Sequence, residues 1–564
     1  LARAAAWLAA PPEERSPGLL VRGPAGIGKS AFRRELGAMA RERGWMALSV
    51  ELAQPGHSYA AMSAVLEQLI GDDRSVLDAV GEPARGVLAM LTPLASPAPA
   101  LQGPLGRHQV IGAFRRALLA VSRGAPVMVQ VDDAHLLEAA EADALVQLIA
   151  TGGPVHVVLV ARPPAGDSVL GRGLSRLLGT GQLAAIELGP LAEEEARSLV
   201  AQATPQRLVE TAVEHIVRLA EGNAFAVLEL ARAAAGASAR LPGNVAEAIA
   251  ARLCDVDERA MSLLKGLALT ADELDAATAL ALSPGSEAET LALLDAALRA
   301  GTLVVSGSGY RFRHELVRQA LIEQTPPHQR LKLHREAARR LAQLGAPAAL
   351  IAHHWLAGGN AAEATPWLLA AAGEALRLGA FADALRHVEP VLAFKAEHAE
   401  ALRLRAEALD ALGDPGALAA FHAAAQAAGE PASQDLLAKG ALAQVKLGDP
   451  KGALRALEGL KPTSIDGRLC EALAYSGAAA LGVAGPALGT QKAAEARRLA
   501  LQSGDTAAIV IASWAQAAAA HARGELHRSV WADLRETSHV PHLAVRVFDG
   551  QLCIMQRFLY GARP

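Results

Sequence analysis

The stretch Gly23-Pro24-Ala25-Gly26-Ile27-Gly28-Lys29-Ser30 decides the fold of this chain. It matches the pattern G-x-x-x-x-G-K followed by Ser or Thr at every fixed position. Residues 19–22 before it predict a short strand, and residues 31–43 after it predict a helix. In such a unit the glycines let the backbone wrap a chain of phosphates, and the helix N-terminus adds positive potential. The stretch therefore predicts a phosphate-binding loop (P-loop) for a nucleotide; the alternative is a glycine-rich turn that meets the pattern by chance.

The loop and one later strand together predict a site for ATP or ADP with Mg²⁺. Lys29 is placed to reach the β- and γ-phosphates, and the Ser30 hydroxyl to ligate the metal. The apolar run at residues 127–131 ends in Asp132 and Asp133. A buried parallel strand would carry both aspartates to the edge of the sheet where ligands bind. We expect Asp132 to hold Mg²⁺ through water and Asp133 to orient or deprotonate the attacking water. The alternative for such an aspartate is a helix cap.

Three further apolar runs complete a predicted sheet. They lie at residues 45–52, 155–160 and 183–188. With helices between them, the five runs predict an α/β P-loop ATPase core over residues 1–191, with a mostly parallel five-stranded sheet covered on both faces. Arg162 follows the fourth run in chain order and is a candidate γ-phosphate sensor, although a surface ion pair or a helix contact fits it equally well.

Strands nearly vanish after residue 191. Residues 192–240 predict a helical lid that contains Gly222-Asn223-Ala224-Phe225, and residues 241–345 predict a winged-helix-like module with a linker helix. The module's hairpin is predicted from two short strands that flank Ser306-Gly307-Ser308-Gly309. Because no basic recognition face accompanies this hairpin, we expect a packing role and no direct DNA binding by this segment.

Residues 346–564 predict an all-α solenoid of tetratricopeptide-like repeats. A Leu-Gly pair precedes an Ala-Leu pair three times, and its glycines are Gly379, Gly413 and Gly448, separated by 34 and 35 residues. This spacing is typical of the tetratricopeptide repeat, whose helix pairs bury their apolar faces by stacking. An irregular α-bundle is the alternative.

Composition limits the class of protein. The 564 residues suggest three or four domains, and a hydrophobic content of 52% with only 3% aromatic residues indicates alanine-rich helices. The net charge of -4 argues against a nucleic-acid surface across the whole chain. The cysteines, Cys254, Cys470 and Cys553, show neither metal-ligand nor disulfide spacing, so we expect a reducing, cytoplasmic compartment. The alanine-based run at 507–520 predicts a repeat helix and no membrane span. The chain starts at Leu1 within an apparent helix, so we expect a piece of a longer protein.

With these motifs located, the chain resembles the large ATP-binding regulators of the LuxR type, which belong to the STAND class of signal-transducing ATPases. The resemblance rests on LLVRGPAGIGKSAF (19–32), VQVDDAHLLEAAEADAL (129–145), LAEGNAFAVLELAR (219–232) and the segment that begins YRFRHELVRQAL (310–321). It implies a core, lid and winged helix that close around ADP in the resting form. It also implies that a histidine of the winged helix contacts the diphosphate, and His314 stands at that position.

The resemblance implies a switch that is off with ADP and on with ATP, with slow hydrolysis of ATP to ADP and phosphate serving regulation. The repeat array would bind a small-molecule or protein inducer, and self-association is left open. The family's lid usually has a proline where Ala224 stands, so an adenine contact there is not implied. Residues 551–564 are too short for the family's C-terminal DNA reader, so the chain is either a truncated regulator or a relative without that reader.

Two other classes of function stay open from the sequence. One is an ATP-driven motor for remodelling or transport, which would hydrolyse ATP faster than a switch. The other is a non-catalytic repeat scaffold with a vestigial nucleotide site. The intact Lys29, Ser30, Asp132 and Asp133 argue against the scaffold.

Overall fold

A computed structural model describes most of the chain. The described residues are 1–52, 58–72, 74–82, 84–96, 107–122, 124–162, 168–204, 208–235, 258–270, 273–283, 285–306, 309–313 and 315–523. The chain divides into two compact units. The first consists of Leu1–Ala79 and Phe114–Trp367, and the second of Val80–Ala113 and Leu368–Pro564. His314 and residues 307–308 of the predicted hairpin turn lie outside the described residues.

The first unit contains the predicted five-stranded sheet, and every pair in it is parallel. The strands lie in the order β2-β3-β4-β1-β5. Their bounds are β1 (Gly18–Arg22), β2 (Met46–Glu51), β3 (Val127–Asp132), β4 (Val155–Ala161) and β5 (Leu183–Glu187). Every residue of β3 and β4 is buried, as expected of parallel strands with helices on both faces. The predicted core fold is confirmed.

Helices precede and connect these strands along the chain. Their bounds are α1 (Ala2–Ala9), α2 (Lys29–Glu42), α3 (Ala60–Asp72), α4 (Val76–Val80), α5 (Ala84–Leu91), α6 (Arg107–Ser122), α7 (Ala139–Thr151) and α8 (Val169–Gly179). Two short 3₁₀ turns lie at Pro93–Ala95 and Ala134–Leu136. One apolar cluster joins Trp7 of α1, Phe32 and Leu36 of α2, and Met128 of β3. This packing fixes α2 against the sheet and thereby the loop that precedes it.

Three helices follow the sheet, as predicted for the lid: α9 (Glu193–Ala203), α10 (Glu210–Ala220) and α11 (Ala224–Ala235). They pack on one another through a cluster of small and branched side chains that includes Ala196, Ile216 and Leu230. The chain enters α11 through a turn in which Glu221 and Gly222 both have positive φ angles.

The winged-helix-like module has one strand that no sequence pattern indicated. Its elements are α12 (Glu258–Thr270), β6 (Glu273–Asp275), α13 (Ala276–Leu282), α14 (Glu287–Arg299), β7 (Leu303–Ser306), β8 (Gly309–Phe312) and α15 (Glu315–Glu323). The strands form an antiparallel sheet in the order β6-β8-β7. Phe312 of β8 is buried in the module's core, and Phe225 of the lid helix α11 belongs to the same apolar cluster. The lid and the module therefore share one core.

The rest of the described chain is helical. The first unit continues with α16 (Pro327–Gln343), α17 (Ala348–Ala357) and the start of α18 (Ala361–Arg377). The second unit contains α19 (Phe381–Phe394), α20 (Ala399–Leu412), α21 (Ala417–Ala428), α22 (Ala432–Lys446), α23 (Pro450–Leu457), α24 (Ile465–Ala480), α25 (Pro486–Ser503) and α26 (Thr506–Ala522). The predicted helix pairs are confirmed.

The repeat period extends beyond the three glycines that predicted it. Gly379, Gly413 and Gly448 all have positive φ angles just after a helix, where a side chain would be strained. Gly482 lies 34 residues after Gly448, Gly345 lies 34 residues before Gly379, and both have the same conformation. Ion pairs join successive repeats, such as Lys446 to Asp410 at 2.8 Å. In the described part of the chain, no helix is long and apolar enough to cross a membrane. The predicted domain boundaries stay predictions.

Candidate functional site

A cavity of about 480 Å³ lies in the first unit, above the P-loop. Residues of the loop and α2, the ends of β2 and β4, the lid, and strands β7 and β8 all line it. Its charged lining consists of six basic residues, Lys29, Arg34, Arg162, Arg232, Arg311 and Arg313, and three acidic ones, Glu51, Asp133 and Glu229. The positive excess suits a polyphosphate ligand.

The P-loop takes the conformation that its glycines permit. Gly26 and Gly28 have φ angles of 78° and 104°, a region that other residues rarely adopt. The Lys29 ammonium donates hydrogen bonds to the carbonyl oxygens of Gly23 (3.0 Å) and Pro24 (2.9 Å). Burial lowers the pKa of Lys29 from its usual value, while the carboxylates of the two nearby aspartates act in the opposite direction. The lysine is therefore held inside the loop, at the position from which it would reach phosphate oxygens.

The lid binds the P-loop directly, through contacts that no sequence motif predicted. Asn223 Nδ2 donates to the carbonyl of Ala25 at 2.9 Å, and the Phe225 N–H donates to the carbonyl of Gly26 at 3.0 Å. A Cβ on Gly26 would lie only 2.6 Å from Asn223 Oδ1. The Gly-Asn pair at a predicted helix start was the available signal, because the oxygen of an asparagine there caps the helix and its amide nitrogen can donate elsewhere.

The two adjacent aspartates face different partners. Asp132 is 1% exposed; its Oδ2 accepts a hydrogen bond from Arg33 Nε at 2.9 Å, and its Oδ1 accepts one from the Asp133 N–H at 3.0 Å. Asp133 has a left-handed backbone, with φ of 49°, and lines the cavity. Its pKa is raised to about 6 by burial and by the negative charges of Asp132 and Glu51. Asp132 is thus already paired, and Asp133 is the aspartate that lines the cavity.

The oxygen donors at the cavity fit a magnesium ion that arrives with a nucleotide. Ser30, Asp133 and Glu51 all line the cavity, and hydroxyl and carboxylate oxygens are the ligands that Mg²⁺ prefers. Asp132 directly precedes Asp133 in the chain and is itself buried. The assignment of the metal to Ser30 and Asp132 and of the water to Asp133 stays a prediction.

Of the remaining predicted site residues, Arg162 is the one that the structure describes. Arg162 follows β4 directly and lines the cavity, and its role as a γ-phosphate sensor stays a prediction. The predicted contact of His314 with a diphosphate falls outside the described residues. Arg311 and Arg313, which precede His314 in the chain, line the cavity, so the winged-helix-like module contributes to its wall.

Arg311 reaches the ATPase core through Glu51 at the end of β2. Arg311 Nη1 lies 3.8 Å from Glu51 Oε1, and Arg33 Nη2 lies 3.6 Å from Glu51 Oε2. Side chains alternate along a strand, so the inward Phe312 places Arg311 and Arg313 on the other face of β8. Nothing local in the sequence marks Arg33, Glu51 or Arg311, so none of the three could be singled out from it.

Comparisons with known proteins agree with a P-loop ATPase fold. Residues 1–160 match the family model described as AAA ATPase domain. Over 94% of its length, the chain is similar in structure to a STAND protein with a tetratricopeptide repeat sensor from Pyrococcus horikoshii, of which it covers 75%, with 14% sequence identity and a TM-score of 0.53. It is also similar, over 57% of its length, to a Walker-type ATPase of Pyrococcus abyssi, of which it covers 94%, with 14% identity and a TM-score of 0.26. No curated protein matches the sequence significantly.

Fold and sequence match point to the same class of domain. Residues 1–160 match the AAA ATPase domain model and contain an intact P-loop. At 14% identity, the similarity to the Pyrococcus horikoshii protein shows a shared fold, that of a STAND ATPase with a repeat sensor.

Proposed function

We propose that this chain is an ATP-binding signal-transduction switch, off with ADP, on with ATP, and reset by slow hydrolysis. One observation supports this function above the others. The cavity is formed jointly by the P-loop, the lid and the β8 strand of the winged-helix-like module. A ligand at the P-loop would therefore contact three separate modules, and its phosphates would change the relative free energy of their closed and open arrangements.

The residues of the site would have separate roles in binding and hydrolysing ATP. Lys29 and the P-loop amides would bind the phosphates, and Ser30 and Asp132 would hold Mg²⁺, which neutralises phosphate charge when bound. Asp133 would orient the attacking water and accept its proton, because a pKa of about 6 leaves it ionised at neutral pH while still basic enough to act. Arg162 would stabilise the terminal phosphate.

The helical repeats would act as the sensor, binding a small-molecule or protein inducer. This part of the proposal is supported by the regular 34- to 35-residue spacing of the repeat glycines and by the concave surfaces that such arrays form. A role in LuxR-type transcription regulation is supported by the sequence motifs alone, as is the off and on assignment.

The test combines nucleotide titration with steady-state hydrolysis. We expect ADP and ATP to bind, and turnover without a partner to stay below about one per minute, well under typical enzyme rates. Lys29→Ala is the matched loss-of-binding variant. Absence of binding in the wild-type protein would overturn the proposal, and turnover well above that rate would favour a motor.

A further inference from the structure

Four charged side chains form a continuous series from the predicted metal site to the winged-helix-like module. Asp132 accepts from Arg33 at 2.9 Å, Arg33 lies 3.6 Å from Glu51, and Glu51 lies 3.8 Å from Arg311. Asp132 and Glu51 are paired residues of neighbouring strands β3 and β2, so both carboxylates stand at the same edge of the sheet. We call Asp132, Arg33, Glu51 and Arg311 the ion-pair chain.

The ion-pair chain is electrically balanced by itself. It contains two carboxylates and two guanidinium groups, and its side chains are 1% to 21% exposed, so solvent screens them only in part. A divalent cation near Asp132 would add two positive charges beside Arg33. Arg33 would then lose part of its attraction to Asp132 and gain from moving closer to Glu51.

Arg311 is the member that such a change would displace. Its contact is the longest of the three, and it has the most exposed side chain of the four, at 21%. At 3.8 Å, its contact with Glu51 is an ion pair that is too long for a directional hydrogen bond. Arg311 also lines the cavity, where phosphate oxygens would compete with Glu51 for it.

Displacing Arg311 would move more than one side chain. The next residue, Phe312, is 1% exposed in the module's core, in the same cluster as Phe225 of the lid. Phe225 in turn donates its N–H to the P-loop at Gly26. Release of Arg311 therefore loosens one of the contacts that hold strand β8 against the ATPase core.

We propose that Glu51 is a positioning residue that couples metal loading at the P-loop to the docking of the winged-helix-like module, through Arg33 on one side and Arg311 on the other. The proposal rests on the proposed nucleotide switch. It assigns Arg311 to Glu51 in the docked state without Mg²⁺, and releases Arg311 from Glu51 once Mg²⁺ and a triphosphate are bound.

Hydrogen–deuterium exchange of the β8 peptide in the full chain tests the proposal. In the wild-type protein, we expect a non-hydrolysable ATP analogue with Mg²⁺ to speed β8 exchange about three- to tenfold over the same analogue with EDTA, the scale of one partly buried ion pair. Glu51→Gln should show the faster exchange in both conditions. Arg311→Met should do the same, and the double variant should add nothing further.

A matched control is available on the same sheet. Glu187 pairs with Arg22 at the same distance of 3.8 Å, on β5 and β1, but its side chain is 73% exposed. Glu187→Gln should therefore keep the wild-type response to Mg²⁺. If Glu51→Gln does not fold, Glu51→Asp can replace it. This variant retains the charge and should give a response to Mg²⁺ between those of wild type and of a variant without the charge.

The outcomes separate this proposal from the nucleotide switch. Docking alone is tested by comparing Glu51→Gln with wild type in EDTA without nucleotide. Equal β8 exchange in these two proteins would overturn the role of Glu51 even if the wild-type protein binds nucleotide. A Mg²⁺ response that survives in Glu51→Gln, or additive effects of the two substitutions, would overturn it as well. Failure of the wild-type protein to bind nucleotide in titration would overturn the switch instead.

Discussion

Asp133→Asn should make the protein more stable while it slows hydrolysis. The pKa of Asp133 is raised from 3.8 to about 6, so its charge is unfavourable in the folded state at neutral pH. One pKa unit corresponds to about 1.4 kcal/mol, which gives a nominal penalty of about 3 kcal/mol. Because the side chain is 26% exposed, solvent offsets part of this. We expect the neutral amide to raise the free energy of unfolding of the first unit by about 1–2 kcal/mol.

The sign of the pH dependence follows from the direction of the shift. A folded-state pKa above the unfolded value means that the folded protein binds more protons between pH 3.8 and about 6. The penalty is therefore complete above pH 6 and disappears as the pH falls toward 4. The stability gained in Asp133→Asn should shrink over the same interval, provided that Mg²⁺ and nucleotide are absent.

Native-state hydrogen exchange of the β3 peptide measures this gain, because its buried amides report unfolding of the first unit separately from the second. In EDTA at pH 7.5, the variant's slowest amides should exchange about 5 to 30 times more slowly than those of wild type. Glu187→Gln, an exposed carboxylate on the same sheet, should change exchange by less than about twofold. Equal or faster exchange in Asp133→Asn would refute the claim that the charge of Asp133 destabilises the folded protein. A wild-type rate of ATP hydrolysis in this variant would refute the role of Asp133 in orienting the attacking water.

Three further predictions concern the same site. Lys29→Ala should weaken ATP binding by about 2 kcal/mol or more, because it removes charge-assisted contacts to phosphate; unchanged affinity in calorimetric titration of the folded variant would contradict the P-loop assignment. Asn223→Ala should weaken binding of ADP and ATP by about 1 kcal/mol, since it removes the hydrogen bond between the lid and the P-loop. Gln68→Ala, which removes an exposed side-chain hydrogen bond of α3, is the control. Equal affinities in the wild-type protein and both variants would show that the hydrogen bond from the lid does not order the P-loop. The rate of ATP hydrolysis should fall about tenfold per pH unit once the pH is below the pKa of Asp133, which bound Mg²⁺ lowers from its value of about 6 in the free protein, and a rate that does not fall as Asp133 is protonated would remove Asp133 as the base.

The sequence alone determined the parts of this protein that depend on local patterns. The P-loop, the five apolar strands and the repeat glycines each carry their signal within a few residues, because backbone conformation and burial restrict which side chains can stand there. The fold class therefore follows from the sequence. Gly345 and Gly482 continue the same spacing and have the same positive φ angles as the three glycines that predicted the repeat.

Only the tertiary structure decided how the site is completed. Arg33 and Asp132 meet across 99 residues of sequence, and Asn223 and Ala25 across 198. No periodicity links such residues, because long-range contacts are set by strand order and by helix packing. The structure also decided which aspartate faces the cavity. Asp133, which has a left-handed backbone, lines the cavity, whereas Asp132 is buried and paired with Arg33. A charged residue at a strand end, such as Glu51, looks ordinary until the fold places an arginine from a distant module beside it.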